Sequence, residues 1–236
     1  MQTKIKTRLI NWSAILWSMM VLLPLSVAHA DKLSETPFWT LNSGLWLSQN
    51  TYLGSDLEYK IKSYSSIVDI AVSANGVVIV ERKFYPPGAF HGKALGLDIA
   101  DDVGVELLQT TRWLAEGDDG RVVAEGDVPG PYQFSITPYT GDTAVLAVTN
   151  RTTKRDSYRM MISLPSPNYR YVVNMGIDDG SKDGSIGALR GLSFFNGQKI
   201  TQESLTDHVN KLRQLHQIKA QVLANPDGSF ELAKRQ

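Results

Sequence analysis

Cysteine is absent from the 236 residues of this chain, and histidine is scarce. Without cysteine the protein cannot form disulfides or thiolate metal sites, so its stability must come from its core. Beyond residue 30 the histidines are His91, His208 and His216, and no two of them stand at the close spacings that favour a shared metal ion. No glycine-rich segment follows a strand and opens a helix, as phosphate binding requires. The sequence therefore predicts no metal site and no cofactor.

An excess of positive charge is also missing. The chain has 24 basic and 24 acidic residues, with no long block of either sign. Three of the basic residues, Lys4, Lys6 and Arg8, fall within the first thirty, so the remainder is slightly acidic. Because nucleic-acid binding needs a basic surface, we predict no nucleic-acid partner. The oligomeric state stays open.

Long apolar runs are confined to the first thirty residues. The basic residues precede an apolar run from Ile15 to Val27, and Ala28-His29-Ala30 supplies the small-x-small pattern of a signal-peptidase site. A membrane anchor is the alternative, but the run is shorter than the ~20 residues of a spanning helix. We predict a cleaved signal peptide over residues 1–30, a periplasmic or secreted protein, and no integral membrane segment after cleavage.

The rest of the chain, residues 31–236, is dominated by strand signals and reads as a single domain. Short runs of alternating hydrophobicity recur between turn residues, and Asn75-Gly76 separates two β-branched runs in the manner of a hairpin turn. This spacing is typical of an antiparallel barrel or a sandwich. We predict a mainly β fold built as one antiparallel β-barrel.

One amphipathic helix is predicted after the strands, over about residues 201–223. Its apolar residues recur every three or four positions, and Thr201 is a suitable N-cap. The apolar face lacks aromatic residues, and the polar face is not mainly basic, which argues against a membrane-surface role. We expect the helix to pack on the outside of the barrel.

Gly44-Leu45-Trp46 resembles the Gly-x-Trp motif that opens the first strand of lipocalins. The resemblance implies an eight-stranded barrel in which Trp46 plugs the closed end and an arginine of the last strand packs over it. Arg190 lies in that strand, in phase with apolar neighbours, and the resemblance implies this role for it. Asp156-Ser157-Tyr158 is similar to the family's Thr-Asp-Tyr turn, with Arg155 in place of the threonine.

A proline-rich loop supplies the first candidate site residues. Pro86-Pro87-Gly88 follows Tyr85, and Phe90 and His91 come directly after it. At a barrel mouth Tyr85 and Phe90 would contact a ligand, and His91 could serve as a general base because histidine titrates near neutrality. The alternative is a rigid corner with an exposed histidine.

The strand over residues 103–114 offers two different faces. One face carries Glu106 and Arg112, which could hold a polar ligand or transfer protons, and the other carries Trp113, which would contact an apolar ring. Sequence alone leaves open which face points inward. A further alternating stripe is predicted to contact the ligand and consists of Tyr169, Tyr171 and Met175.

Three functions are compatible with these observations. The leading hypothesis is an exported binding protein that holds a small apolar, amphipathic or aromatic molecule inside the barrel. The second is an isomerase, hydratase or cyclase on the same scaffold, with His91, Glu106 and Arg112 as catalytic residues. The third is a structural protein of the envelope with a filled core.

Overall fold

The computed structural model describes residues 33–54, 64–125, 132–180 and 186–233, so the predicted signal peptide lies outside the described residues. Within these residues there are two α-helices, α1 (Pro37–Asn42) and α2 (Gln202–Leu215), and two short 3-10 helices, Leu33–Glu35 and Gly92–Leu95. The described strands are, in chain order, β1 Gly44–Gly54, β2 Tyr64–Ser73, β3 Gly76–Tyr85, β4 Gly104–Ala115, β5 Val122–Ala124, β6 Tyr132–Thr140, β7 Thr143–Asn150, β8 Arg155–Ser166, β9 Tyr169–Asp179, β10 Ile186–Ile200, β11 Ile218–Ala224 and β12 Phe230–Leu232.

The first ten described strands close into an antiparallel barrel. Each pairs with the next along the chain, and β10 returns to pair with β1 from Leu45–Ile200 through to Gly54–Gly191. The prediction of a mainly β fold, built as an antiparallel barrel and followed by a helix, is confirmed. The described barrel has ten strands, whereas the resemblance implied eight.

Strand β4 has one edge that is shared by two partners. Trp113–Ala115 pair antiparallel with β5, while Gly104–Gln109 pair in parallel with β11. β11 continues the sheet outside the barrel and forms an antiparallel hairpin with β12. The C-terminal strands therefore satisfy backbone groups of β4 that β5 is too short to reach.

The hairpin between β2 and β3 is present, but its turn differs from the prediction. Ser73 pairs with Gly76, so the turn residues are Ala74 and Asn75, and neither Asn75 nor Gly76 has a positive φ. Gly76 is needed for another reason, because a Cβ there would lie only 2.2 Å from the carbonyl oxygen of Trp113 on β4. Its lack of a side chain permits close approach of two strands.

Helix α1 packs into the barrel end at which β1 begins. Phe38 and Trp39 are fully buried in the main core cluster, and the Trp39 indole donates a hydrogen bond to the Gly120 carbonyl at 2.7 Å. Trp46 is fully buried two residues into β1, where its indole donates to the Asn42 carbonyl at 2.8 Å. Aromatic side chains therefore fill this end of the barrel.

Helix α2 packs on the outer surface of the barrel. Its N-cap is Thr201, whose side chain accepts a hydrogen bond from the Ser204 amide. The buried residues Val209 and Leu212 form a core cluster with outward side chains of β1, β2 and β3, including Leu45, Ile67 and Phe84. Among the residues described, no helix is both long enough and apolar enough to cross a membrane.

The predicted helix end near residue 223 is wrong. The helix stops at Leu215, Gln217 adopts a positive φ of 51°, and Ile218 to Ala224 form β11. Ile218 and Val222 fit a helical spacing of four, but together with Ala220 they also fit the twofold period of a strand. Tertiary pairing with β4 decides the outcome, because it buries Val222 completely.

Candidate ligand-binding cavity

The barrel contains a partly open cavity of about 640 Å³ next to the aromatic core at the α1 end. Its lining comes from inward side chains of nine of the ten described barrel strands and from Asn42 of α1, and most of these side chains are hydrophobic or aromatic. Representative apolar lining residues are Phe134, Leu146, Val148, Met160 and Phe195. A close-packed domain core has no void of this size, so the volume can admit a guest molecule.

The structure shows which of the two faces of β4 points into the barrel. Gln109, Thr111 and Trp113 line the cavity. Trp113 is buried, and its indole donates a hydrogen bond to Thr111 Oγ1 at 3.2 Å. The structure thus places the predicted ligand-binding residue Trp113 in the cavity wall.

The opposite face of β4 carries the predicted catalytic pair away from the cavity. Glu106 is 1% exposed beneath α2, where its Oε2 accepts hydrogen bonds from Arg213 of that helix, with Nη2 at 2.7 Å and Nε at 2.8 Å. Arg82 Nη1 lies 3.6 Å from Glu106 Oε1. Arg112 is exposed on the outer surface. In this arrangement Glu106 holds the helix against the barrel, and neither residue lines the cavity.

The proline-rich loop forms a separate core cluster where β3 ends. Phe90 is buried with Leu97, Ile99 and other residues, and its ring centroid lies 5.4 Å from that of Tyr85. Tyr85 in turn lies 4.8 Å, centroid to centroid, from Tyr64, which lines the cavity. Tyr85 therefore contacts a cavity-lining ring and Phe90 contacts Tyr85, but neither residue lines the cavity.

His91 does not enter the cavity. It is exposed and precedes the short 3-10 helix Gly92–Leu95. Its position agrees with the alternative of a rigid corner that displays a histidine.

The stripe of Tyr169, Tyr171 and Met175 faces outward from β9. The two tyrosines are about half exposed, and none of the three lines the cavity. The inward phase of the same strand consists of Arg170, Val172 and Asn174, and all three line the cavity. The aromatic phase was expected to point inward; because side chains alternate along a strand, the inward position of Arg170, Val172 and Asn174 turns the aromatic phase to the outer surface.

Arg170 lies over Trp46. The guanidinium carbon of Arg170 is 5.3 Å from the Trp46 ring centroid, and the Lys199 ammonium is 5.2 Å from it. Trp46 pairs with Lys199 near one end of β10, whereas Arg190 precedes Gly191, which pairs with Gly54 at the far end of β1. The side chain of Arg190 lies outside the described part of the structure, so the role that the resemblance implied for it stays a prediction.

The charged residues among those that line the described cavity are Glu81, Lys83 and Arg170. Lys83 Nζ lies 3.2 Å from Glu81 Oε2 and 3.3 Å from Gln109 Oε1. Burial acts to lower the pKa of Lys83, but Glu81 and the neighbouring Tyr64 act in the opposite direction, and the net shift is upward. The lysine is therefore held in its charged form beside the carboxylate.

Phenols surround this ion pair. Burial raises the pKa of Tyr64 and Tyr85, and it raises that of Tyr158 to about 12, while the charge of Lys83 partly opposes each shift. The phenols consequently stay neutral around pH 7 and act as hydrogen-bonding groups. The charge of the cavity is then set by the ion pair and by Arg170.

The inward polar residues of β1, β3 and β9 were not identified from the sequence. Val77, Ile79, Glu81 and Lys83 alternate along β3 and therefore share one face of the strand. Charged residues on a face that begins with apolar residues were the signal from which this inward position could have been predicted. Asn50 on β1 is 5% exposed and lines the cavity. Among the described residues, no cluster of three or more His, Asp or Glu side chains could hold a metal ion.

Comparison with known proteins gives only distant structural likenesses. No protein-family model matches the chain. No curated protein matches it either. An S-type phycobiliprotein lyase from Guillardia theta is similar over 76% of this chain and 99% of its own, with 13% identity and a TM-score of 0.47.

Two further solved structures are more distant. A DUF3598-family protein of unknown function from Nostoc punctiforme is 12% identical over 69% of this chain, with a TM-score of 0.44, and the match spans about half, 49%, of its length. A chain solved with DFHBI bound is 16% identical over 70% of this chain and 98% of its own, with a TM-score of 0.32. At these scores the likenesses carry no argument about function.

Proposed function

We propose that this protein is an exported binding protein that holds a small apolar or amphipathic molecule inside its barrel. The observation that carries the proposal is the partly open cavity of about 640 Å³ between the strands. Ligand pockets typically measure about 300–1,000 Å³ and combine apolar walls with a few polar groups. The walls here have that composition, with Trp113, Phe134 and Met160 on the apolar side and Lys83 and Arg170 among the polar groups.

The cavity favours ligand binding over the other two hypotheses. A structural envelope protein would gain stability by filling this volume, because an unfilled cavity forfeits dispersion contacts. For an enzyme, the sequence suggested His91, Glu106 and Arg112 as catalytic residues. None of these lines the cavity, so no observation favours that alternative.

Dye binding tests the proposal directly. N-phenyl-1-naphthylamine is neutral and apolar, and its fluorescence rises when it leaves water. We expect saturable binding at one site per chain. Failure of this dye to bind, together with the consistent absence of any co-purified small molecule in native mass spectra of protein from its host, would overturn the proposal.

A pair of variants on one strand locates the dye. Val148 lines the cavity from β7, whereas Val145 on the same strand does not. Val148→Trp fills part of the volume and should weaken dye binding several-fold. Val145→Trp adds the same side chain on the other face and should leave dye affinity unchanged. Equal affinities in both variants would place the dye elsewhere.

Export is part of the proposal and is supported by the basic start, the apolar run and Ala28-His29-Ala30 of the sequence. We expect the protein to appear outside the cytosol with Asp31 as its first residue. Cell fractionation and N-terminal sequencing of the full-length chain expressed in a bacterium measure both. A cytosolic protein that retains residues 1–30 would contradict export while leaving the ligand hypothesis intact.

A further inference from the structure

Arg170 brings an uncompensated positive charge to the cavity. The other two charged lining residues, Glu81 and Lys83, form an ion pair at 3.2 Å and neutralise each other. Arg170 lies outside this pair, and no other described lining residue carries a negative charge. The wall therefore presents one net positive charge in a largely apolar enclosure.

The guanidinium of Arg170 is poorly satisfied by the protein. The side chain is 7% exposed, its Nε has no hydrogen-bond partner, and Nη1 reaches Asn42 Oδ1 only at 3.5 Å. Burial lowers the pKa of Arg170 to about 10, and Glu81 partly opposes that shift, so the group stays charged around pH 7. A buried cation with an unused donor costs folding free energy unless an acceptor is supplied.

Two amides on neighbouring parts of the wall are also incompletely used. Asn50 Oδ1 and Asn174 Oδ1 lack partners, although both residues are at least nine-tenths buried. Asn174 uses its Nδ2 to donate to Ser193 Oγ at 2.9 Å. Buried polar atoms without partners mark places where a ligand or an ordered water completes the network.

We propose that the ligand is an amphipathic monoanion whose acidic group pairs with Arg170 and whose apolar body lies against the cavity wall. This inference rests on the proposed function, since it specifies the class of molecule bound in the same cavity. A carboxylate or sulfonate supplies the acceptor that Arg170 lacks, and guanidinium binds such groups in a planar, two-donor geometry. The aromatic and aliphatic side chains accommodate the remainder of the molecule.

Three probes of similar length separate charge from apolarity. Dodecanoate, methyl dodecanoate and dodecylammonium are each titrated against the bound neutral dye N-phenyl-1-naphthylamine at low ionic strength. We expect dodecanoate to displace the dye at a concentration about tenfold lower than its ester does, and the ammonium to be the weakest competitor. The reason is that a hydrogen bond from a buried charged donor to an acceptor raises affinity by about one order of magnitude or more. An equal response to all three, or tighter binding of the ammonium, would overturn the inference.

Arg170→Met tests the assignment, with Lys199→Met as the matched control. Both cations lie about the same distance from the Trp46 ring, but only Arg170 lines the cavity. Arg170→Met should abolish the preference for dodecanoate over its ester, with each probe measured against the variant's own dye affinity, and Lys199→Met should keep the preference. A preference that survives in folded Arg170→Met would show that Arg170 is not the anion's partner.

The comparison of the three probes on the wild-type protein tests the charge preference even where Arg170→Met fails to fold. Arg170→Gln, which is a smaller change, then tests whether Arg170 is the partner of the anion. Failure of the dye itself to bind would remove the proposed function. Dye binding without a preference for the anion would remove only the present inference.

Discussion

The guanidinium carbon of Arg170 lies 5.3 Å from the centroid of the Trp46 ring and so connects β9 to β1 across the intervening strand β10. Trp46 is fully buried, and its indole is hydrogen-bonded to the Asn42 carbonyl at the end of α1. The Arg170 side chain thus lies where three parts of the molecule meet, namely the helix that fills the barrel end, the first strand and the polar part of the cavity wall.

Replacing Trp46 should be among the most destabilising changes in the protein. Trp46→Ala removes a completely buried indole and leaves a void, so we expect the free energy of unfolding to fall by about 3–5 kcal/mol. Urea titration followed by circular dichroism measures it. Tyr139→Ala, at a side chain that is 71% exposed, is the control and should change stability little. A loss for Trp46→Ala no greater than that of the control would contradict the packing described.

The ion pair between Glu106 and Arg213 should respond unequally to loss of either partner. Glu106 is 1% exposed, whereas the Arg213 side chain is 43% exposed and can turn to water. Arg213→Ala leaves a buried carboxylate with only the more distant Arg82, and we expect a loss of about 3 kcal/mol. Glu106→Gln keeps the volume and should cost about 1 kcal/mol. Equal losses in urea unfolding, or a larger loss for Glu106→Gln, would contradict this account of the site.

Stability should decrease as the solution is acidified, and His216 should contribute to the decrease. Burial lowers the pKa of His216 below its ordinary value of 6.5, and its Nε2 lies 2.9 Å from Ser65 Oγ. The unfolded chain then binds the proton more tightly, so the free energy of unfolding falls as pH drops from above 6.5 towards the lower pKa of the folded state. Urea midpoints taken from about pH 8 to about pH 5 should show a shallower fall in His216→Gln. An identical pH dependence in the variant would rule out this contribution.

Tyr158 should ionise only in strongly alkaline solution. Its pKa is raised to about 12, chiefly by burial, so the folded state keeps a proton that the unfolded state loses near pH 10. Stability from this group is complete below about pH 10 and declines as pH rises from there towards about 12. Tyr158→Phe should remove a late step from the ultraviolet titration of the phenols. A titration that is unchanged in the variant would show that Tyr158 is not one of the late-ionising phenols.

Much of the fold follows from local patterns in the sequence. Alternating hydrophobicity and regularly spaced turns predict the antiparallel strands, and Thr201 marks the start of α2 correctly. The end of that helix could not be predicted, because Ile218 and Val222 suit a helix and a strand equally well. Only the parallel pairing with β4, more than a hundred residues away, selects the strand.

The candidate site was harder to predict because strand alternation defines two faces without saying which is inside. On β4 the inward face is the one with Trp113, as hydrophobicity favours. On β9 the inward face carries Arg170 and Asn174, while Tyr169 and Tyr171 face outward, against the same rule. Polar side chains take the inward positions of β9 there, so hydrophobic composition alone points to the wrong face.

One edge of β4 pairs with β5 along one part of its length and with β11 along another, so the few residues of β11 have a large effect on how that edge is protected. A shortened protein that stops before Ile218 would expose a row of bare amides and carbonyls along Gly104–Gln109, which is a template for pairing with another molecule. Such a truncation should show itself first as self-association during purification, and expression of this protein is best planned with its last strands in place.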